Sequence, residues 1–240
     1  MNILSIGNSF SQDATRYLSS IAACGGSNFT TVNLYIGGCS LWRHFHNISA
    51  DEKAYSLEFN GVSTGFSVSI KEALLTREWD VITLQQVSGQ SKNYATYQPY
   101  LDELYAYCKK YCPKAKIYMH QTWAYEEDSH RLCVEQKYEH HSDMFSDIER
   151  AYAQAAAAIG ANGIIPSGEL VNAMCSKGFK MHRDTFHLSM GLGRYAAGLL
   201  WYAYLTGKDI TDNSFNKFDV EVTDEEIAAA KTAVKEILAK

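Results

Sequence analysis

Met1-Asn2-Ile3-Leu4-Ser5-Ile6-Gly7-Asn8-Ser9-Phe10-Ser11-Gln12-Asp13 opens the chain, and the reading of this stretch decides the fold. Ile3–Ile6 is a short apolar run with β-branched residues, closed by a glycine, and a helical pattern follows over Thr15–Ala23. A strand that leads straight into a helix is the start of a βαβ unit, whose crossover helix packs back onto a parallel sheet. Four more runs of the same kind follow, at Val32–Ile36, Val81–Leu84, Lys116–His120 and Gly163–Ile165. Helical patterns separate them at Val68–Thr76, Tyr97–Tyr111, Glu135–Ile159 and Leu188–Leu205. This alternation predicts a three-layer α/β/α sandwich around a five-stranded parallel sheet, in flavodoxin-like order and with right-handed crossovers.

Two stretches fall outside the alternation. Between Trp42 and Phe66, the runs Tyr55–Phe59 and Val62–Thr64 flank Asn60-Gly61, which predicts a β-hairpin inserted around residues 42–66 and placed as a roof over the site. Near the end, Thr223 and Glu226 make a capping box, and Ile227, Ala230, Val234 and Leu238 recur at helical spacing, so a last helix packs on the sheet. With 240 residues, 46% of them hydrophobic, and no linker, repeat or low-complexity tract, residues 1–240 are expected to form one domain.

Composition narrows the function. A formal net charge of -5 offers no broad cationic field, which argues against a nucleic-acid partner and for a neutral or weakly charged small molecule. No apolar run is long enough to span a bilayer, so no membrane partner is expected. The six cysteines, Cys24, Cys39, Cys108, Cys112, Cys133 and Cys175, lack zinc-site spacing, and free thiols are expected. A strand this close to Met1 leaves no room for a signal peptide. The expectation is a cytoplasmic protein if Met1 is native, and a periplasmic or secreted one if a leader has been cut away.

Two motifs carry chemistry. Ser9 stands where the first strand ends and a helix begins, exposed above the sheet edge, with a backbone N–H that can point at a developing oxyanion. A serine at such a place also serves as a helix cap. Near the other end, Arg183-Asp184-Thr185-Phe186-His187 places an aspartate three residues before a histidine. That spacing lets the carboxylate accept the imidazole Nδ1–H and leaves Nε2 free to take a hydroxyl proton. An Asp-x-x-His pair alone is common, and its everyday meaning is a capping aspartate beside a surface histidine.

Together, and in this order, the motifs resemble the SGNH (GDSL-like) hydrolases, with Gly-Asn-Ser-Phe-Ser where many members have Gly-Asp-Ser-Leu-Ser. Asn8 departs from that pattern outside the triad. The chain is most similar to a bacterial SGNH-like family with Gly-Asn-Ser-Phe early, Leu-Gln-x-x-Ser in the middle and Asp-x-x-His late, and the resemblance runs from Ile3 to about Leu205. It implies Ser9 as nucleophile, His187 as base, Asp184 as the base's orienter, and a hole for the oxyanion formed by the Ser9 and Gly38 N–H groups. A third donor usually comes from Gly-x-Asn-Asp after the third strand, but Leu84-Gln85-Gln86-Val87-Ser88 stands there. A subgroup of carbohydrate O-acetylesterases has a glutamine at this point, which implies Gln85 as donor, with Gln86 as the alternate and as a substrate contact.

Trp123 and Tyr125, after the fourth strand, are candidates to line an acyl or sugar pocket, although aromatics there also pack cores. Adjacent positions on a helix diverge, so His140-His141 makes a poor metal pair, and His44 and His46 have no evident partner. No metal or organic cofactor is called for. The expected activity is hydrolysis of small acyl esters, acetyl groups on a carbohydrate being the implied substrate. The rival reading is an inactive SGNH-fold module binding a carbohydrate or anion at the Gly7–Ser11 loop.

Overall fold

The computed structural model describes residues 1–240. Its sheet has seven strands: β1 (Asn2–Gly7), β2 (Thr30–Tyr35), β3 (Tyr55–Phe59), β4 (Val62–Val68), β5 (Val81–Leu84), β6 (Lys116–His120) and β7 (Ile164–Ile165). They are arranged as β4-β3-β2-β1-β5-β6-β7. The five strands read from the sequence are the parallel ones, and the order β2-β1-β5-β6-β7 among them is the flavodoxin-like one. β1 and β5 are buried almost throughout, as strands covered on both faces must be, which is why they read as continuous apolar runs.

The predicted count of five is corrected by the hairpin. β3 and β4 pair antiparallel with each other and β3 pairs antiparallel with β2, so the hairpin widens the sheet at its edge and does not roof the site. Between β2 and β3 lies a helix absent from the sequence reading, α3 (Leu41–Ala50), capped by Ser40. Leu41, His44 and Asn47 face inward from it, a polar stripe that masked the amphipathic pattern. A register shift between Ser56 and Glu58 turns Glu58 into the interior beside Tyr55's face of the strand.

The remaining helices are α1 (Ser9–Thr15), α2 (Leu18–Cys24), α4 (Ile70–Leu75), α5 (Tyr100–Tyr111), α6 (His141–Ile159), α7 (Ser167–Ser176), α8 (Leu192–Thr206) and α9 (Asp224–Leu238). They form two groups, α8 packing on α1, α2, α7 and α9, and α5 packing on α3, α4 and α6. The Thr223/Glu226 capping box of α9 is present. The helix expected at Thr15–Ala23 begins earlier, at Ser9, and breaks at Arg16 and Tyr17, and a further helix, α7, lies between Pro166 and the Asp184–His187 motif. The pattern expected over Glu135–Ile159 is helical only from His141, where α6 starts, and a single π turn spans Arg131–Glu135 ahead of it. All six cysteines are free thiols, and no helix is long and apolar enough to cross a membrane.

Candidate active site

Ser9, Gly38 and Gln85 follow the carboxyl ends of the parallel strands β1, β2 and β5, and His120 closes β6, where an open α/β sheet keeps its crevice; the Asp184–His187 turn comes from the segment between α7 and α8. The two motifs from opposite ends of the chain meet there. Ser9 Oγ lies 2.8 Å from His187 Nε2, and His187 Nδ1 lies 2.8 Å from Asp184 Oδ2. The His187 backbone N–H donates to the other carboxylate oxygen, Asp184 Oδ1, at 2.9 Å. With Nδ1–H donating to Asp184, the lone pair of Nε2 faces the Ser9 hydroxyl. Burial pushes the Asp184 carboxyl up, but the hydrogen bonds from the His187 ring and backbone outweigh it and hold the group below its ordinary value. The carboxylate therefore stays ionised beside the imidazole at neutral pH.

The Ser9 turn rests on a buried polar lattice. Asn8 caps α1, accepting from the Phe10 N–H at 3.0 Å, and Ser11 completes a capping box by accepting from the Asn8 N–H at 3.1 Å. The Asn8 Nδ2 donates to the Cys39 carbonyl at 3.0 Å, which ties the Ser9 turn to the Gly38 turn. An aspartate, the commoner residue of the resembling motif, has no donor for that carbonyl, so this linkage accounts for the asparagine. Gly7 leaves the necessary room, since a Cβ there would lie 2.3 Å from Ser11 Oγ and 2.8 Å from Gln85 Oε1. Gly38 has φ +63, the left-handed region that favours glycine. Neither the Ser9 nor the Gly38 N–H has a partner within the protein.

Gln85 is 1% exposed and sits beneath this turn. Its Nε2 donates to Asn8 Oδ1 at 2.9 Å and its Oε1 pairs with His120 Nδ1 at 2.9 Å, leaving one N–H of the amide unpartnered. His120 is fully buried, and burial pulls its imidazole down to about 3, so it remains neutral and donates Nδ1–H to the glutamine. His120 thus sets the amide of Gln85, and Gln85 sets the amide of Asn8.

Three sequence candidates are not where a ligand would meet them. Gln86 is completely buried, its Oε1 accepting from the Leu41 and Val87 N–H groups and its Nε2 donating to Thr96. Its amide is spent on holding loops, which removes it both as alternate donor and as substrate contact. Trp123 is likewise buried, stacked on Phe10 with ring centroids 4.0 Å apart, and its Nε1 donates to the Phe186 carbonyl at 2.7 Å. Tyr125 is 3% exposed and pairs with Ser88 Oγ at 3.0 Å. Both aromatics are packing residues under the site, the commoner fate of an aromatic after a buried strand. His44 is also internal, with Nδ1 2.8 Å from the Tyr55 hydroxyl.

The residue that the sequence reading passed over is Asp13. It is fully buried on α1, and its carboxylate accepts from Arg183 Nη1 at 2.9 and 3.0 Å, from Arg194 Nε at 2.8 Å and from the Leu188 N–H at 3.0 Å. The helix that begins with Ser9 thereby grips both flanks of the His187 turn. A signal existed in the sequence: Asp13 lies at i+3 from Phe10 and next to Ala14, on what is otherwise an apolar helix face. The turn itself is tight, with Thr185 at φ +76 and its carbonyl accepting from the Glu126 N–H at 2.7 Å. A cavity of about 660 Å³ lined by Trp79, Tyr111, Cys112 and Lys116 lies at the opposite, amino ends of the strands and has no part in this site.

Comparison with known proteins agrees with this architecture. The family model described as "Domain of unknown function (DUF4886)" matches residues 2–236, and the chain belongs to that family. A crystal structure of a DUF4886 family protein from Bacteroides uniformis is similar over 100% of this chain and 95% of that one, with 33% identity and a TM-score of 0.93. A provisionally assigned SGNH hydrolase from Slackia heliotrinireducens is similar over 85% of this chain and 98% of its own, at 22% identity and a TM-score of 0.63. A member of the lipolytic protein G-D-S-L family from Veillonella parvula covers 86% of this chain and 97% of its own, at 12% identity and a TM-score of 0.51. The fold is that of the SGNH hydrolases. A search of curated proteins returned no match.

Proposed function

We propose that this protein is a serine esterase that removes small acyl groups, acetyl on a carbohydrate foremost, through an acyl-serine on Ser9. The observation that carries the proposal is the continuous line Ser9 Oγ, His187 Nε2, His187 Nδ1, Asp184 Oδ2, with 2.8 Å at both hydrogen bonds. An anion-binding loop needs neither the imidazole nor its carboxylate, so this line favours an enzyme over a silent binding module.

In the proposed reaction His187 Nε2 takes the Ser9 proton as Oγ attacks the ester carbonyl. Asp184 holds the imidazole and stabilises its protonated form. The free N–H groups of Ser9 and Gly38 receive the oxyanion, and the unpartnered N–H of Gln85 is the third donor. Imidazolium then protonates the departing alcohol, and water, deprotonated by His187, releases the acid from the acyl-serine. The acetyl and carbohydrate parts rest on the glutamine at the end of β5 and its resemblance to O-acetylesterases.

The test is release of 4-nitrophenol from 4-nitrophenyl acetate together with labelling by a fluorophosphonate. Wild type should turn over and be labelled at Ser9, and Ser9→Ala should lose at least about a thousandfold in rate. Equal rates in the two proteins, with no label in either, would remove the esterase reading.

A further inference from the structure

The π turn Arg131–Glu135 carries an arginine directly beside the His187 turn. The Arg131 guanidinium carbon lies 4.1 Å from the centroid of the Phe186 ring and 5.9 Å from that of Tyr125. The Phe186 ring in turn lies 3.8 Å from the His187 ring, whose Nε2 is 2.8 Å from Ser9 Oγ. The cation is therefore two ring contacts away from the reacting hydroxyl. Stacking on two aromatic faces holds the guanidinium plane in place without consuming its N–H groups.

Most of those N–H groups are unspent. The Tyr125 hydroxyl is the one uncharged polar group the guanidinium interacts with, and the Arg131 side chain is 39% exposed. The one carboxylate within 4 Å is Glu135 Oε2, at 3.8 Å, too long for a hydrogen bond. Glu135 is also shared with the exposed His130, at 3.7 Å. A pre-oriented guanidinium fork with free donors is a recognition element for a planar, bidentate anion. Structural arginines in this protein behave otherwise: Arg183 and Arg194 close on the buried Asp13, and Arg16 and Arg194 close on Asp219.

We propose that Arg131, braced on Phe186 and Tyr125, is the specificity residue for esters whose substrate carries a carboxylate, acetylated sugar acids being the natural class. The proposal rests on the esterase reading and narrows it. Glu135 is the internal competitor for the same cation, so the two residues act with opposite sign.

Three esters separate the possibilities: 4-nitrophenyl acetate is neutral, mono-4-nitrophenyl glutarate carries the carboxylate on the acyl side, and 4-acetoxybenzoate carries it on the alcohol side. The expected result is that Arg131→Met raises the anionic-to-neutral ratio of KM about tenfold for 4-acetoxybenzoate and leaves it unchanged for mono-4-nitrophenyl glutarate; a response of the glutarate ester alone overturns the assignment to acetylated sugar acids. Arg131→Lys should recover part of that ratio, and Glu135→Gln should move it the other way, by about threefold. Equal changes for neutral and anionic esters, or no change, overturn the proposal. Binding to the Ser9→Ala protein supplies a readout that needs no turnover. By calorimetry 4-acetoxybenzoate should bind about tenfold more weakly once Arg131→Met is added, and equal binding with and without it overturns the proposal. Loss of 4-nitrophenyl acetate hydrolysis in Ser9→Ala reports separately on the esterase reading.

Discussion

The two turns that meet at the site are held in different ways. The Ser9 turn sinks into the sheet, where Asn8, Ser11 and Gln85 are buried and tied to one another and to partners from β2, β6 and the Gly38 loop. Ser11 Oγ donates to Asn33 Oδ1 at 2.7 Å, and Asn33 Nδ2 donates to Glu58 at 2.7 Å, so even the edge hairpin braces this turn from the side. The Asp184–His187 turn lies on the surface, with Asp184 exposed and Thr185 in the left-handed region. Its own hydrogen bonds are few, and its position depends on outside posts: Asp13 at Leu188, Trp123 at Phe186 and Glu126 at Thr185. Ser9 is thus set by the fold, while His187 is set by contacts that reach it from elsewhere, one of them from the helix that Ser9 begins.

Removing Asp13 breaks that link and carries the largest expected effect. Asp13→Asn leaves Arg183 and Arg194 facing a neutral amide in a buried place, and breaking one partner of a buried ionic cluster costs about 3 to 5 kcal/mol. The unfolding free energy should fall by that amount. At a temperature where the variant remains folded, kcat should drop more than KM changes, because the base, not the substrate, has lost its support. If stability falls while kcat holds, Asp13 is a fold residue only and the two turns are independent.

Asn8→Asp acts on the other side of the comparison and more gently. The change is nearly isosteric, but it sets a carboxylate oxygen against the Cys39 carbonyl and leaves that carbonyl without its donor, a cost of about 1 to 3 kcal/mol. Since Cys39 follows Gly38, the expected outcome is a displaced Gly38 N–H and a tenfold or greater loss in kcat against 4-nitrophenyl acetate. A variant with wild-type kcat would show that the Asn8 to Cys39 bond does not position the Gly38 turn.

How legible this was in the sequence follows the same division. The parallel strands and the two motifs were readable because they depend on short-range pattern: an apolar run, a glycine, a serine, an aspartate three residues before a histidine. The direction of side chains was not. Gln86, Trp123 and Tyr125 belong to the right loops, yet all three turn inward, since which neighbour faces the crevice is decided by packing across the sheet. Glu58 escaped for a related reason, as the register shift in the hairpin breaks the alternation that would place it. α3 was hidden because its inward stripe contains His44 and Asn47, and an apolar periodicity cannot reveal a helix that buries polar residues against Tyr55.

Acid offers the mildest way to separate the two turns, because a buried neutral histidine stands behind each. His120 supports the Ser9 turn through Gln85, and His182 supports the other by donating from Nε2 to the Ala124 carbonyl at 3.0 Å. Burial lowers both imidazoles, His120 to about 3 and His182 to about 4. In the unfolded chain each titrates near 6.5, so as pH falls below that value the unfolded state takes up protons that the folded state refuses. Stability from these groups is therefore complete above pH 6.5 and declines on acidification, by at most about 1.4 kcal/mol per pH unit for each histidine, until the folded protein also binds the proton. The folded protein protonates His182 first, so between pH 5 and 4 the His187 turn should loosen while the Ser9 turn keeps its lattice. His182→Gln keeps a donor for the Ala124 carbonyl and removes the proton. Urea midpoints measured at pH 7, 6, 5 and 4 should then fall less steeply than in wild type, by roughly one proton's worth of slope. Identical slopes would mean that His182 titrates alike in both states, and that the surface turn is no easier to open with acid than the buried one.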